Sequence, residues 1–131
     1  MEHTVAAFTL DSFEAEPPFH EDSGVQYGRT RITKTFTGDI EATSTVEMLS
    51  VRAEAGGAGY VALERVSGRV GGKVGGFALL HVGTMTAAGS WAKWPIAPGS
   101  GTGELAGISG EGRIEIGSDG AHTLFLDYDL A

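Results

Sequence analysis

The chain has 131 residues, enough for one domain with a single sizeable core and no long linker to divide it. With 17 acidic against 9 basic residues and a formal charge of -8, it offers no Lys/Arg cluster to hold nucleic acid or an anionic membrane. It has no cysteine, which excludes a disulfide framework and a thiolate metal site, and no run approaches the roughly 18 apolar residues of a membrane helix.

The N-terminus, MEHTVAAFTLDSFE, has an acidic second residue, no basic segment and only a short apolar run. That argues against a secretory signal and for a soluble, cytoplasmic protein. Thr4 to Phe13 reads as a strand rich in β-branched and aromatic residues. Glu14 to Gly24 (EAEPPFHEDSG) has two prolines, four acids and a closing glycine, so a loop is expected. Val25 to Thr37 alternates, with Thr30, Ile32, Lys34 and Phe36 opposite Arg29, Arg31, Thr33 and Thr35. Gly38-Asp39 is a tight turn into Ile40 to Val51, where Ala42, Ser44, Val46 and Met48 share a face. Ala53 to Gly59 is the next turn.

Two apolar-rich runs follow, Tyr60 to Val70 and Phe77 to Met85, around glycines 71, 72, 75 and 76. In the first, Arg65, Ser67 and Arg69 fall on one face and look solvated, which carries Glu64 to the other face among apolar neighbours. In the second, Phe77, Leu79, His81 and Gly83 share a face. A two-residue turn at Gly72-Lys73 pairs Gly71 with Val74 and sets Glu64 directly opposite His81. Ala87 to Ala97 is a sixth strand, with Pro95 at an edge, a bulge or its end. Pro98 to Gly112 is glycine-dense, with room for one short turn of helix around Glu104 to Gly107. Arg113 to Gly117 and His122 to Leu130 make a closing hairpin in which Leu124, Leu126 and Tyr128 face in. About eight strand-like segments in hairpin order, with no sustained helical period, predict an all-β chain: one closed antiparallel barrel or a sandwich. A barrel of about eight strands holds either packed side chains or one small ligand.

The segments KTFTGDIEATSTVEML, GYVALERVSGRVGG, FALLHVGTM and PGSGTGELAGISGEGRIEI together resemble a bacterial family of single-domain proteins of unknown function. GSGTGELAGISGEG is also similar to the glycine-rich segment of plant allene oxide cyclases and dirigent proteins. The resemblance spans Thr4 to Leu130. It implies an allene oxide cyclase-like closed barrel with a ligand-sized interior, in a fold whose relatives include cofactor-free cyclases and isomerases of apolar substrates. Activity does not transfer with the fold.

Glu64 and His81 are the candidate catalytic residues: a carboxylate desolvated in a barrel and paired with an imidazole can move protons near neutral pH. The plainer alternative is a buried hydrogen-bonded pair that fixes register. With no cation on its own strand facing the same way, Glu64 is expected to hold its proton more tightly than usual. Lys34 is the other cation that could point inward, provided the Phe36 face is the inner one. Tyr60, Met48, Val66, Leu79, Trp91 and Tyr128 are the expected ligand-binding residues, although Trp91 and Trp94 point to opposite faces and only one can look inward. The run from Gly99 to Gly112 lacks the ending of a phosphate loop and the following long helix, so a tight connection is the better reading. His3, His20, His81 and His122 are scattered without ligand spacing, so neither metal nor cofactor is expected. Ala78, Leu80 and Val82 make the outward face of their strand apolar. That calls for a subunit interface and a homo-oligomer, most simply a dimer. The expected function is binding of a small apolar molecule, with cofactor-free isomerisation or cyclisation by the Glu/His pair. A carrier with the same pocket, or a barrel packed solid with side chains, are the alternatives.

Overall fold

Strict alternation of buried and exposed residues over strands this long leaves one face to cover, and closure covers it. In the computed structural model, which describes residues 1–130, the strands are β1 (Glu2–Ala15), β2 (His20–Asp22), β3 (Val25–Gly38), β4 (Ile40–Ala53) and β5 (Ala58–Val70), then β6 (Lys73–Thr86), β7 (Gly89–Pro95), β8 (Thr102–Gly103), β9 (Ser109–Ile116) and β10 (His122–Asp129). They lie in the order β1-β10-β9-β7-β6-β5-β4-β3-β2, and β1 pairs with β3 as well as β10. Eight strands therefore close an antiparallel barrel, with β2 and β8 as short additions, and no helix forms among the described residues. Closure is complete at one end, whereas toward the other β1 pairs with β10 only as far as Phe8 and β7 pairs with β9 only at Trp94 and Pro95.

Most of the expected strands are present, several longer than their sequence pattern indicated. The acidic loop contributes the three residues of β2, which pair with β3. Glu104 to Gly107 is not helical: hydrogen bonds from Leu105 N to Thr102 O and from Ala106 N to Gly103 O make overlapping turns. The segment does structural work. β7 stops at Pro95, which has no N–H to extend the ladder. Beyond it, β8 takes β7's place beside β6, pairing Gly75 with Gly103 and Gly76 with Thr102. Leu105 and Ile108 then drop into the core at 0% and 2% exposure. β9 begins at Ser109, earlier than expected, because the backbone of this glycine-rich stretch pairs with β10 without side chains to pattern it.

The turn between β5 and β6 also differs from expectation. Gly71 and Gly72 occupy it, with φ of 55° and 83°, so Val70 pairs with Lys73. Two successive left-handed residues are what a type I′ hairpin turn requires, and a Gly-Gly pair adopts them without Cβ strain. Lys73 in such a turn would be strained. The register therefore moves by two residues, Glu64 pairs with Leu79, and His81 pairs with Ala62. A shift of two keeps every side chain on its face.

The interior is filled unevenly. Phe8, Phe36, Ile40, Val66, Val70, Phe77, Leu79, Ile96, Leu124 and Leu126 form one apolar cluster with Leu105, Ile108 and Tyr128. The cluster occupies the end of the barrel where the β3–β4 and β5–β6 turns lie. The opposite end lies outside this cluster and stays open.

Candidate functional site

Four adjacent strands, β3 to β6, send one polar residue each to the inner face at the boundary between packed core and open mouth. Pairings of Lys34 with Ser44, Ser44 with Val66, and Glu64 with Leu79 fix their positions. Glu64 is 1% exposed and accepts three hydrogen bonds. His81 Nε2 lies 2.8 Å from its Oε1, Lys34 Nζ lies 3.3 Å from the same oxygen, and Ser44 Oγ donates to Oε2 at 2.6 Å. Lys34 Nζ also sits 4.6 Å from the centroid of the Phe8 ring, so its charge is met by a carboxylate and a π-face.

Burial would raise the Glu64 pKa, but the hydrogen bond from His81, the charges of Lys34 and His81, and the Ser44 hydroxyl together outweigh it. The carboxyl is held below its ordinary value and is ionised at neutral pH. The expectation of a tightly held proton is thus overturned, and Lys34 is the reason: the Phe36 face of β3 is the inner one, at 2% exposure for Phe36 and 6% for Lys34. An ionised carboxylate can only accept, so Nε2 of His81 carries the hydrogen in that bond, and in the neutral ring the lone pair is at Nδ1. Nδ1 has no hydrogen-bond partner among the described residues. It is not sealed off either, since Trp94 Nε1 is the one buried side-chain polar atom among them that lacks a partner.

Above this cluster the mouth holds a cavity of about 610 Å³. Thr30, Met48, Ser50, Tyr60, Gly83 and Ala92 line it from inward-facing positions, with Phe13, Tyr27 and Trp91 nearer the rim. Gly83 pairs with both Tyr60 and Ala92. A Cβ on Gly83 would come within 2.5 Å of the Tyr60 ring, so glycine is what lets that ring lie across the opening. One pleat deeper, His81 and Trp94 stand side by side with ring centroids 5.8 Å apart, edge to face.

Of the residues expected to bind ligand, Met48 and Tyr60 line the cavity, and Trp91 does so from the rim, opposite Thr84 and half exposed. Trp94 is the inward tryptophan. Val66, Leu79 and Tyr128 belong to the packed core at the other end, at 3%, 0% and 3% exposure. The Tyr128 hydroxyl lies by the Gly71 turn, and burial, with the charges of Glu2 and Asp39, pushes its pKa up. Ser44 was missed, although it lies on the face shared by Ala42, Val46 and Met48 in the sequence. A serine amid small and apolar residues gives no signal until its carboxylate partner is located.

The chain matches, over residues 4–128, the family described as protein of unknown function DUF3224. A crystal structure of a protein with unknown function from that family, from Shewanella oneidensis MR-1, is 35% identical, with a TM-score of 0.92 over 100% of this chain and 98% of the other. No curated protein matches.

Proposed function

The chain belongs to the DUF3224 family of proteins of unknown function, and from the interior it encloses we propose that it binds a small, largely apolar molecule in the mouth cavity and isomerises or cyclises it without a cofactor. The observation that carries this reading is the dyad of Glu64 and His81. A buried, ionised carboxylate holds Nε2 at 2.8 Å and leaves Nδ1 unpartnered, one pleat below Gly83, which lines a ligand-sized space that His81 itself does not line. In this arrangement His81 is the acid/base and Glu64 the residue that fixes its tautomer and stabilises it when charged, as in other carboxylate–imidazole pairs. Nδ1 takes a proton from the bound molecule and returns it at a second atom. The reaction is then balanced without any other reactant. Lys34 and Ser44 keep Glu64 ionised, so they act on the chemistry through it.

Native mass spectrometry of the purified protein tests the binding half: a retained mass released on denaturation identifies the ligand. Incubation of that ligand with wild type and with His81→Gln tests the chemistry, which should be lost in the variant while binding stays. If His81→Gln converts the ligand as fast as wild type, the dyad is not catalytic. A carrier is the second reading. It is favoured by the depth of Glu64, which has no oxygen left without a donor and does not itself line the cavity.

The outer wall supports a further part of the proposal, self-association. Leu49, Val61, Leu63 and Leu80 are 43%, 52%, 54% and 37% exposed and contiguous through the pairings Leu49 with Val61 and Leu63 with Leu80. Glu47 on β4 and Lys93 on β7 border this groove from opposite sides. A two-fold axis lying along the strands brings Glu47 of one copy to Lys93 of the other. That fits a homodimer better than an unrelated partner.

A further inference from the structure

The mouth cavity opens through a rim whose charge runs against that of the chain. The sequence has 17 acidic and 9 basic residues, yet the cavity is lined by Arg29 and Arg52 against one carboxylate, Glu16. The two arginines are not equivalent. Arg29 pairs with Leu49, so its side chain leaves β3 on the outer face, and it also borders the apolar groove of the wall. Arg52 follows Met48 and Ser50 on the inner face of β4 and pairs with Gln26 and Ala58 at the outermost rung. It is exposed and forms no ion pair with a carboxylate among the described residues. Glu21 and Glu54 border a groove on its other side, and Glu21 accepts instead from Gln26 Nε2 at 3.2 Å. Beneath Arg52 the lining loses its charge: Ser50 and Tyr60 pair one pleat down, and Thr30 and Met48 one pleat below them. Deeper still Lys34 points inward, and Glu64 already holds it at 3.3 Å.

Resting on the cavity reading above, we propose that Arg52 is the recognition cation of the mouth and that the ligand is an amphipathic anion, a carboxylate on an apolar body. The guanidinium fork takes the two carboxylate oxygens at the rim, a planar match that a point charge does not offer. One free inward cation, with Glu16 on the same lining, suits a single negative charge better than the double charge of a phosphate ester. The body then runs inward past Tyr60 to Met48, a depth of about 13 Å at the rise of an extended strand. Entry is apolar end first. A carboxylate driven to the floor would lose its water and meet an ionised Glu64 whose cation is already taken, so the charge stays at the rim. That polarity turns the far end of the body, not the head group, toward the Glu64 and His81 side.

Octanoate and octan-1-ol form the test pair, sharing a chain and differing in head-group charge at pH 7. The Met48 methyl resonance reports occupancy of the cavity, and its titration gives a dissociation constant for each compound. Arg52 is exposed, so its replacement leaves the fold intact. Arg52→Gln should weaken octanoate about fivefold at low salt, the upper end for a solvated ion pair, and leave octanol unchanged. The loss should shrink as salt is added, because an exposed pair is screened. Arg52→Lys keeps the charge without the fork and should recover part of the loss, whereas Arg29→Gln should leave octanoate at wild-type strength. If both compounds move Met48 and Arg52→Gln affects them alike, the recognition role is wrong while the cavity stands. If neither moves Met48 at any soluble concentration, the cavity reading falls and this inference with it.

Discussion

Glu64 and His81 are diagonal neighbours across the β5–β6 ladder: Glu64 pairs with Leu79, yet its Oε1 meets His81 Nε2 at 2.8 Å. Residues two apart on facing strands share a face and lie within reach of long side chains. The diagonal leaves room for two further donors, from Lys34 and Ser44, and so permits a charged carboxylate at 1% exposure.

The acid limb of stability follows from that charge. A carboxyl whose folded pKa lies below its ordinary value of 4.5 contributes stability above that pH and gives it up as the pH falls through the folded value. Glu64→Gln should therefore lower the denaturant midpoint at pH 7 and flatten the loss of stability on acidification. Asp11 is also held below its usual value, first by the Thr35 hydroxyl and then by Thr9, so Asp11→Asn is the control. Urea titrations at several pH values below neutrality check the point. An unchanged acid limb in Glu64→Gln, alongside a flattened one in Asp11→Asn, would move the effect to the surface.

Lys34→Met tests the charge balance from the other side. Removing one partner of a buried pair leaves an uncompensated charge, at a cost of about 3 kcal/mol. The double variant Lys34→Met/Glu64→Gln should recover most of the loss, because neither charge remains to be stabilised. Additive losses in a double-mutant cycle would mean that the two residues do not interact.

Much of this was legible in the residues, and the failures have physical causes. Inner and outer faces of β3 to β6 followed from alternation, because each long strand has one face in the barrel and one outside. The turn did not: Gly71-Gly72 and Gly72-Lys73 both offer glycine, and only the need for left-handed φ at both positions separates them. The two-residue shift preserved the faces, which is why the pair met although its register was misplaced. The charge state of Glu64 was misread because Lys34 reaches it from β3, two strands away, and alternation carries no information on how far a side chain spans. Sorting Tyr60 and Met48 from Val66, Leu79 and Tyr128 required knowing which end of the barrel β8 and its following turns plug, and that glycine-rich segment has almost no pattern to read.

Gly83→Ala should close the mouth from within. The new methyl would lie 2.5 Å from the Tyr60 ring and must push it across the cavity. Overpacking of this kind costs about 1–3 kcal/mol, so the fold should survive while the ligand retained in native mass spectrometry binds more weakly. Calorimetric titration of the folded variant decides it. Binding at wild-type strength would place the ligand elsewhere on the molecule.

Leu80→Glu addresses the outer wall. Leu80 is directly opposite Leu63, and Leu49 and Val61 extend the same surface onto β4. Four large apolar side chains on one patch of a sheet normally meet another surface, and closure of the barrel leaves none within the chain itself. A carboxylate at Leu80 stays solvated in the monomer but is desolvated without a partner in a dimer, so it should raise the dissociation constant by orders of magnitude and leave the monomer's stability nearly unchanged. Sedimentation equilibrium over a range of concentrations reads the first and urea unfolding the second. In the two-fold dimer proposed above, Glu47→Lys paired with Lys93→Glu should restore association that either single change weakens, and because Glu47 also pairs with Arg31 at 3.1 Å within the chain, Arg31→Gln is the control for loss of that pair. Wild-type protein that remains monomeric at micromolar concentration would leave the apolar wall unexplained by self-association.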